Sequence, residues 1–322
     1  MTKYIKISRN IHKLEIDNPD TPDKKLVWIN IKNARKKEIE YLRKNYKFNL
    51  SYLQASSAKS ISQRPMVVKD DGYLFMILHF PVLDNNNVIP GEIEFFIGKN
   101  YLITLHNDNV KALNEFFNFC KKDSCSLLAY NNESSAMLLY ELLDRLIQDT
   151  FHLLDQNSIA ISEVEEMIFS DKQKEAVSRI LSVRRNFINI RRIMQSHKNI
   201  IKKLLSIQTT LTTNEQVGNY YRKLIEYTKN IWEILENQKE MIEALNNTNE
   251  SMLNYRISNI MKTLTIFSVI VFPLTLFAAI FGMNTMGGMP FIDNKYGFWI
   301  IIFFMSIGCL FMLLFFKKKK WL

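Results

Sequence analysis

The sequence predicts an α+β membrane protein with an N-terminal α/β domain, a long helical stalk and two C-terminal transmembrane helices. Three observations lead there. Short β-branched and aromatic runs are confined to residues 1–130, helical periodicity without strand signals takes over from Glu133, and two charge-free apolar stretches close the chain. With 322 residues and 47% hydrophobic composition, the chain has room for more than one folded unit and is neither disordered nor collagen-like.

Within residues 1–130 the clearest strands are Leu26–Ile31, Tyr73–Phe80, Ile93–Ile97 and Tyr101–Leu105, mostly bounded by Gly, Asn or Asp. Gly98, Lys99 and Asn100 form a tight turn between the last two and predict a hairpin. Ala34–Tyr46 has helical character with a charged, solvated face, so a sheet covered by helices is expected. Farther on, Leu138, Leu142, Leu146 and Phe151 begin a long apolar stripe. Ser170 ahead of Asp171, and then Thr212, Thr213 and Asn214, have N-cap chemistry and divide the remainder into three helices. Glu163, Glu165, Glu166, Asp171 and Glu175 cluster at the first junction as a solvated helix tip.

The third helix is unusual. Between Asn214 and Pro273 the only breaker is Gly218, so the helix is predicted to run on to Phe281, roughly 100 Å at about 1.5 Å per residue. Leu224, Ile231, Gln238, Leu245 and Met252 recur every seventh residue, flanked by Tyr227, Ile234 and Met241. This is a coiled-coil-like seam, and Gln238 within it leaves two uses open, pairing between chains or packing against the chain's own helices.

Thr263–Phe281 and Phe298–Phe316 each hold nineteen residues without a charge, enough to cross a hydrocarbon core of about 30 Å. Trp299 and Trp321 at the ends and the flanking lysines favour a bilayer over a buried hairpin. Arg256 and Lys262 precede the first stretch and Lys317–Lys320 follow the second, whereas the link between them carries only Asp293 and Lys295. The positive-inside rule then places both termini in the cytoplasm. The expected organisation is a cytoplasmic α/β domain (1–130), a cytoplasmic stalk (131–262), transmembrane helices at 263–281 and 298–316 joined by an external loop (282–297), and a basic tail (317–322).

Pro273 lies inside the first span, where it removes a backbone hydrogen bond. Asn254, Ser258, Met261, Thr265, Ser268, Phe272, Thr275 and Ala279 recur at spacings of four and three and therefore share one stripe, mostly small or polar. Such a stripe in a membrane either packs against another helix or lines water. Two spans cannot enclose a pore, so a water-lined stripe requires several subunits in a ring.

Other classes are excluded by what the residues lack. The net charge of +10 is spread among acidic residues and no base-reading module occurs, so no nucleic-acid partner is expected. Cys120, Cys125 and Cys309 have no zinc-site spacing and fit a reducing compartment. Met1–Asn10 carries charge with no apolar run behind it, which is read as no signal peptide. No nucleophile, paired carboxylates or Gly-x-x-x-x-Gly-Lys-Ser/Thr loop stands out, so an enzyme and an ATP-driven pump are not expected, nor any organic cofactor.

At the outer end of the stripe stands Phe281-Gly282-Met283-Asn284. It is preceded by Met261-Lys262-Thr263-Leu264-Thr265 and Phe272-Pro273-Leu274-Thr275, followed by Met289-Pro290, and Lys317–Leu322 closes the chain. Here the chain resembles the CorA magnesium-transporter family, whose signature is an aromatic residue followed by Gly-Met-Asn at the end of the first of two C-terminal spans. The resemblance runs through the whole chain, including Arg64–Asp84 and Gly98–His106. It implies a funnel-shaped homopentamer in the cell (inner) membrane that takes up Mg2+, with Co2+ or Ni2+ as further cargo. It also implies a filter at Gly282, Met283 and Asn284 and a pore lined by Ser258, Met261, Thr265, Ser268, Phe272, Thr275 and Ala279. Phe272 stands where the family often has methionine, and a ring of phenylalanines could close the pore by dewetting.

Two departures matter. Thr285, Met286, Gly287 and Gly288 stand where many relatives carry glutamates, leaving Asp293 as the loop's only acid. Asp84 matches one carboxylate of the family's intersubunit Mg2+ sensor, but its partner position holds Lys223, with Glu226 one turn away as a substitute. Two other functions are weighed. A zinc transporter of the same superfamily usually has isoleucine in place of Met283, and a membrane-anchored signalling or scaffold protein would form a dimer and pass no ions.

Overall fold

The computed structural model describes residues 2–17, 25–56, 64–122, 134–170, 172–208, 215–283, 290, 295–319 and 321. Its elements in chain order are β1 (Thr2–Lys6), β2 (Ile11–Asp17), β3 (Lys25–Lys32), α1 (Lys36–Tyr46), α2 (Leu50–Ala55), β4 (Met66–Asp70), β5 (Tyr73–Asp84), β6 (Asn87–Gly98) and β7 (Tyr101–His106). The helices α3 (Lys111–Lys122), α4 (Ser135–Phe169), α5 (Gln173–Met194), α6 (His197–Gln208), α7 (Glu215–Phe281) and α8 (Gly297–Lys318) follow. The chain folds as two units, Met1–Asn246 and Asn247–Leu322.

In the first unit the strands form one seven-stranded sheet in the order β1-β2-β3-β7-β6-β5-β4. Among the described residues only the β3/β7 pairing is parallel. Tyr73–Pro81 of β5 is buried throughout, as a strand covered on both faces must be, and its sequence is accordingly a nearly continuous apolar run. One face carries Ile29, Ile31, Phe75, Ile77, Phe96 and Leu105 against Leu42, Phe48 and Leu53 of the α1–α2 segment. On the other, Trp28 lies tilted on Phe116 and edge-on to Phe117 of α3. The predicted hairpin at Gly98 is present, with Ile97 opposite Leu102. A Cβ at Gly98 would collide with the Tyr101 ring, so the residue is small because the ring lies across it.

Beyond the sheet the first unit is helical, and the three expected helices are four. The unforeseen break falls at Gln195 and Ser196, where the Ser196 carbonyl opens α6 by accepting from the Ile200 N–H at 3.1 Å. No Gly or Pro marks it. The N-cap expected at Thr212–Asn214 lies outside the described residues.

The seam on α7 turns toward the chain's own α4. Gln238 is 2% exposed, and its side chain accepts from Asn157 Nδ2 (2.9 Å) and donates to the Leu154 carbonyl (2.8 Å) and Ser158 Oγ (2.8 Å). The Tyr221 hydroxyl, also buried, donates to the Ala136 carbonyl at 2.7 Å. A polar residue on an apolar seam is tolerated because all its groups find partners within the same chain. The second line of the seam is Tyr221, Thr228, Leu235 and Ile242, all buried, rather than Tyr227, Ile234 and Met241. Met241 is 44% exposed.

The second unit contains the C-terminal part of α7 and all of α8. Both hold windows apolar and long enough to cross a membrane, and those windows are not buried inside the structure. Ile266 and Phe316 are the buried large apolar side chains of the two spans among the described residues.

Candidate functional site

The stripe predicted along the first span lies on one continuous helix, with Pro273 inside it. Ser258, Met261, Thr265, Phe272, Thr275 and Ala279 are exposed and Ser268 is half-buried, so α8 leaves this face of its own chain uncovered. Each stripe hydroxyl within the span is tied back to its own helix. Thr265 Oγ1 donates to the Met261 carbonyl (2.8 Å), Ser268 Oγ to Leu264 (2.9 Å) and Thr275 Oγ1 to Val271 (2.8 Å). A hydroxyl whose proton is spent on the backbone presents lone pairs outward, so the face is one of oxygen acceptors without charge. Phe272, 71% exposed, and Met261, 56% exposed, are the large apolar side chains among them.

The helix ends where the signature begins. The Gly282 N–H donates to the Ala278 carbonyl at 2.9 Å and the Met283 N–H to the Ile280 carbonyl at 3.3 Å. A Cβ on Gly282 would lie 3.1 Å from the Ala278 oxygen, so a larger residue would press on the last turn. Met283 is 58% exposed. Asn284 lies outside the described residues, as does Asp293.

Asp84 and Glu226 stand on different elements of the first unit. Both are exposed, Asp84 at the end of β5 and Glu226 on α7. Lys223 holds its ammonium over the Tyr227 ring at 5.4 Å, and its pKa is pushed up, first by a hydrogen bond with Tyr227 and then by neighbours including Tyr140 and Asp144. Burial raises the carboxyls of Glu141 and Asp144 on the facing part of α4. A cation one turn from Glu226 opposes a dication at that side chain. Among the described residues no group of three or more His, Cys, Asp or Glu could hold a metal ion.

Sequence reasoning missed what steadies Asp84. β6 pairs with β7 only from Ile93 onward, leaving the edge near Val88 open. Two amides of α5 close it. Asn186 Oδ1 accepts from the Val88 N–H (3.1 Å), Asn186 Nδ2 donates to the Asn86 carbonyl (2.9 Å), and Asn189 Nδ2 donates to the Val88 carbonyl (2.9 Å). Arg185 bonds Asn87 Oδ1 beside them. Asn85 and Asn86 adopt φ of 46° and 63°, a conformation asparagine tolerates in a two-residue hairpin turn. In the sequence the clamp shows as Asn186 and Asn189 three residues apart on a helix, which by itself does not point to a strand edge.

A mixed α/β unit followed by a long helix and two exposed apolar spans, the first bearing a face of neutral oxygens, defines an integral membrane protein with two transmembrane helices. The model for "CorA-like Mg2+ transporter protein" matches residues 23–318, and the chain belongs to that family. It is 26% identical over 302 residues to the cobalt/magnesium transport protein CorA of Thermotoga maritima, covering 92% of this chain and 83% of that one. The complete structure of the CorA magnesium transporter from Methanocaldococcus jannaschii superposes with a TM-score of 0.82 at 19% identity, over 99% of this chain and 100% of that one. The full-length CmaX protein superposes with a TM-score of 0.71 at 18% identity, over 93% and 90%.

Proposed function

We propose that this chain is one subunit of a homopentameric channel that takes up Mg2+, with Co2+ or Ni2+ as further cargo, through a pore lined by α7. The observation that carries it is the uncharged oxygen face of Thr265, Ser268 and Thr275 on α7, with Thr265 and Thr275 exposed, ahead of Gly282-Met283-Asn284 in the sequence. Family membership and the naming of the Thermotoga relative for cobalt and magnesium support the cargo. Mg2+ sheds its water reluctantly, so Asn284 amide oxygens and Gly282 carbonyls arranged in a ring hold the hydrated ion by hydrogen bonds without trapping it, and back-bonded hydroxyls receive it below. Carboxylates in their place would bind too firmly.

Two charges moving inward through about 100 mV gain about 4.6 kcal/mol, which drives uptake without ATP. The chain is therefore a transporter and not an enzyme. Both termini lie in the cytoplasm of a cell whose inner membrane holds the channel, following the lysine distribution. With Thr285, Met286, Gly287 and Gly288 at the mouth, attraction of cations from outside is weaker than in relatives with acidic loops. A regulatory role for Asp84 and Glu226 needs carboxylates from two copies to meet, and Lys223 makes that contact insensitive to Mg2+.

The test is flux into proteoliposomes under an inside-negative potential, Mg2+ against Zn2+. The wild type is expected to pass Mg2+ in preference, and Asn284→Ala to abolish selective uptake with assembly intact. Unchanged uptake and unchanged discrimination in that variant would remove the filter role, and a preference for Zn2+ would assign the chain to the zinc branch.

A further inference from the structure

We propose that the C-terminal end of α8 is a built site for anionic phospholipid headgroups. This rests on α8 crossing a bilayer and not on ion conduction. Lys317 and Lys318 form the last turn of α8 and Lys319 caps it, its N–H donating to the Phe315 carbonyl at 3.0 Å. At about 100° per residue these three ammonium groups spread over more than half of the helix circumference. The chain then folds back. The Trp321 N–H donates to the Phe316 carbonyl at 3.0 Å, and its indole stacks on the Phe316 ring with centroids 5.9 Å apart at 25°.

That arrangement has an amphipathic logic. Phe316 is 6% exposed and is the last residue of the apolar run, whereas Trp321 is 45% exposed. The stacked pair sets an indole at the depth where the apolar run ends, which is the headgroup level that tryptophan favours, with the lysines immediately around it. Lysines serving only to orient the chain during insertion would need no folded seat.

Counter-charge is scarce within the same unit. From Asn247 to Leu322 the sequence has two acids, Glu250 and Asp293, against seven basic residues. Among the described residues no ion pair includes Lys317, Lys318 or Lys319. Helix dipole carbonyls satisfy part of the charge, and the phosphodiester of an anionic lipid, present at that depth in any bilayer containing such lipids, supplies the rest.

The purified full-length protein is reconstituted in phosphatidylcholine alone or mixed with phosphatidylglycerol, and retained lipid is counted by native mass spectrometry after gentle detergent extraction. Phosphatidylglycerol is expected to be retained over phosphatidylcholine by about tenfold, falling with salt, since each lysine near an anionic surface adds to the attraction. The quadruple Lys→Gln variant at 317–320 is expected to lose the preference, the quadruple Lys→Arg variant to keep it, and Phe316→Ala, which unseats Trp321, to weaken it. Equal retention of the two lipids by the wild type, or an undiminished preference in the Gln variant, overturns the proposal. Displacement of the lipid by inorganic pyrophosphate at matched ionic strength would instead identify a soluble phosphate site. Loss of subunit assembly in the Gln variant with lipid retention unchanged would show that the lysines pair with protein acids.

Discussion

Replacing Gln238 by alanine tests whether the long helix is held by its own chain. The substitution removes three hydrogen bonds of 2.8–2.9 Å and leaves Asn157 Nδ2 without its acceptor at a buried position. An orphaned buried donor costs about 1–3 kcal/mol and the missing side chain adds a cavity, so the expected loss is about 2–4 kcal/mol. The Leu154 carbonyl lies within helix α4 and keeps its intrahelical partner, so it adds little. Removing both polar partners should cost less than the sum of its parts. The Asn157→Leu/Gln238→Leu protein is therefore expected to recover most of the stability, with a coupling of about 1–2 kcal/mol. The assay is chemical unfolding of the detergent-solubilised full chain for the wild type, Gln238→Ala, Asn157→Leu, Gln238→Leu and the Asn157→Leu/Gln238→Leu protein. A cost for Gln238→Ala below about 0.5 kcal/mol, within the range of a surface substitution, would refute the intrachain seam. So would strict additivity, because Gln238 would then face something other than Asn157.

Phe272→Ala is expected to raise the resting leak several-fold in the same liposomes used for Mg2+ uptake, and an unaltered closed-state conductance would count against a hydrophobic gate. Glu94, buried in β6, has its carboxyl pushed up to about 8, first by burial and also by nearby Glu92, against a hydrogen bond from Ser56 that lowers it. Because the folded protein holds this proton more tightly than the unfolded one, stability from it is complete below the ordinary carboxyl range near 4.5 and is lost as pH rises toward 8. Glu94→Gln should therefore gain on the wild type across that window and run parallel to it above, as thermal unfolding at a series of pH values would record. A constant difference would contradict a buried neutral carboxyl. Gly91→Ala would place a Cβ 2.7 Å from Val82 Cγ2 and 2.8 Å from Val110 Cγ2, so a loss of about 1–3 kcal/mol is expected in the same unfolding assay.

What can be read from the residues alone follows how locally each feature is encoded. The strands from Tyr73 onward are legible because central strands buried on both faces are continuous apolar runs, and β5 is buried through Pro81. The edge strands β1 and β4, and β2 next to β1, are short and interrupted by charged residues, so they offer no long apolar run to detect. The helix break at Ser196 is invisible in the sequence because no Gly or Pro marks it, while in the structure His197, just beyond it, is buried with its ring edge-on to Phe80. The seam on α7 shows as a period of seven, but the same pattern points to Tyr227 and Met241 for its second line, since periodicity gives spacing and not which flank is covered. The span face is legible because hydroxyl residues stand out in an apolar run. The Asn186 and Asn189 clamp is not, because an amide pairing with a distant strand edge has no local signature.

Cysteine accessibility along the first span tests the central claim, that one face of α7 borders the permeation path. In a chain whose three native cysteines are replaced, single cysteines are placed at Thr265, Ser268 and Thr275 and, as controls on other faces, at Phe267 and Phe277. A membrane-impermeant cationic thiol reagent is expected to modify the first three, Mg2+ to slow the modification, and the two controls to stay unreacted. Modification of Phe267 and Phe277 positions with the hydroxyl positions silent would put the oxygen face in lipid or protein and contradict it.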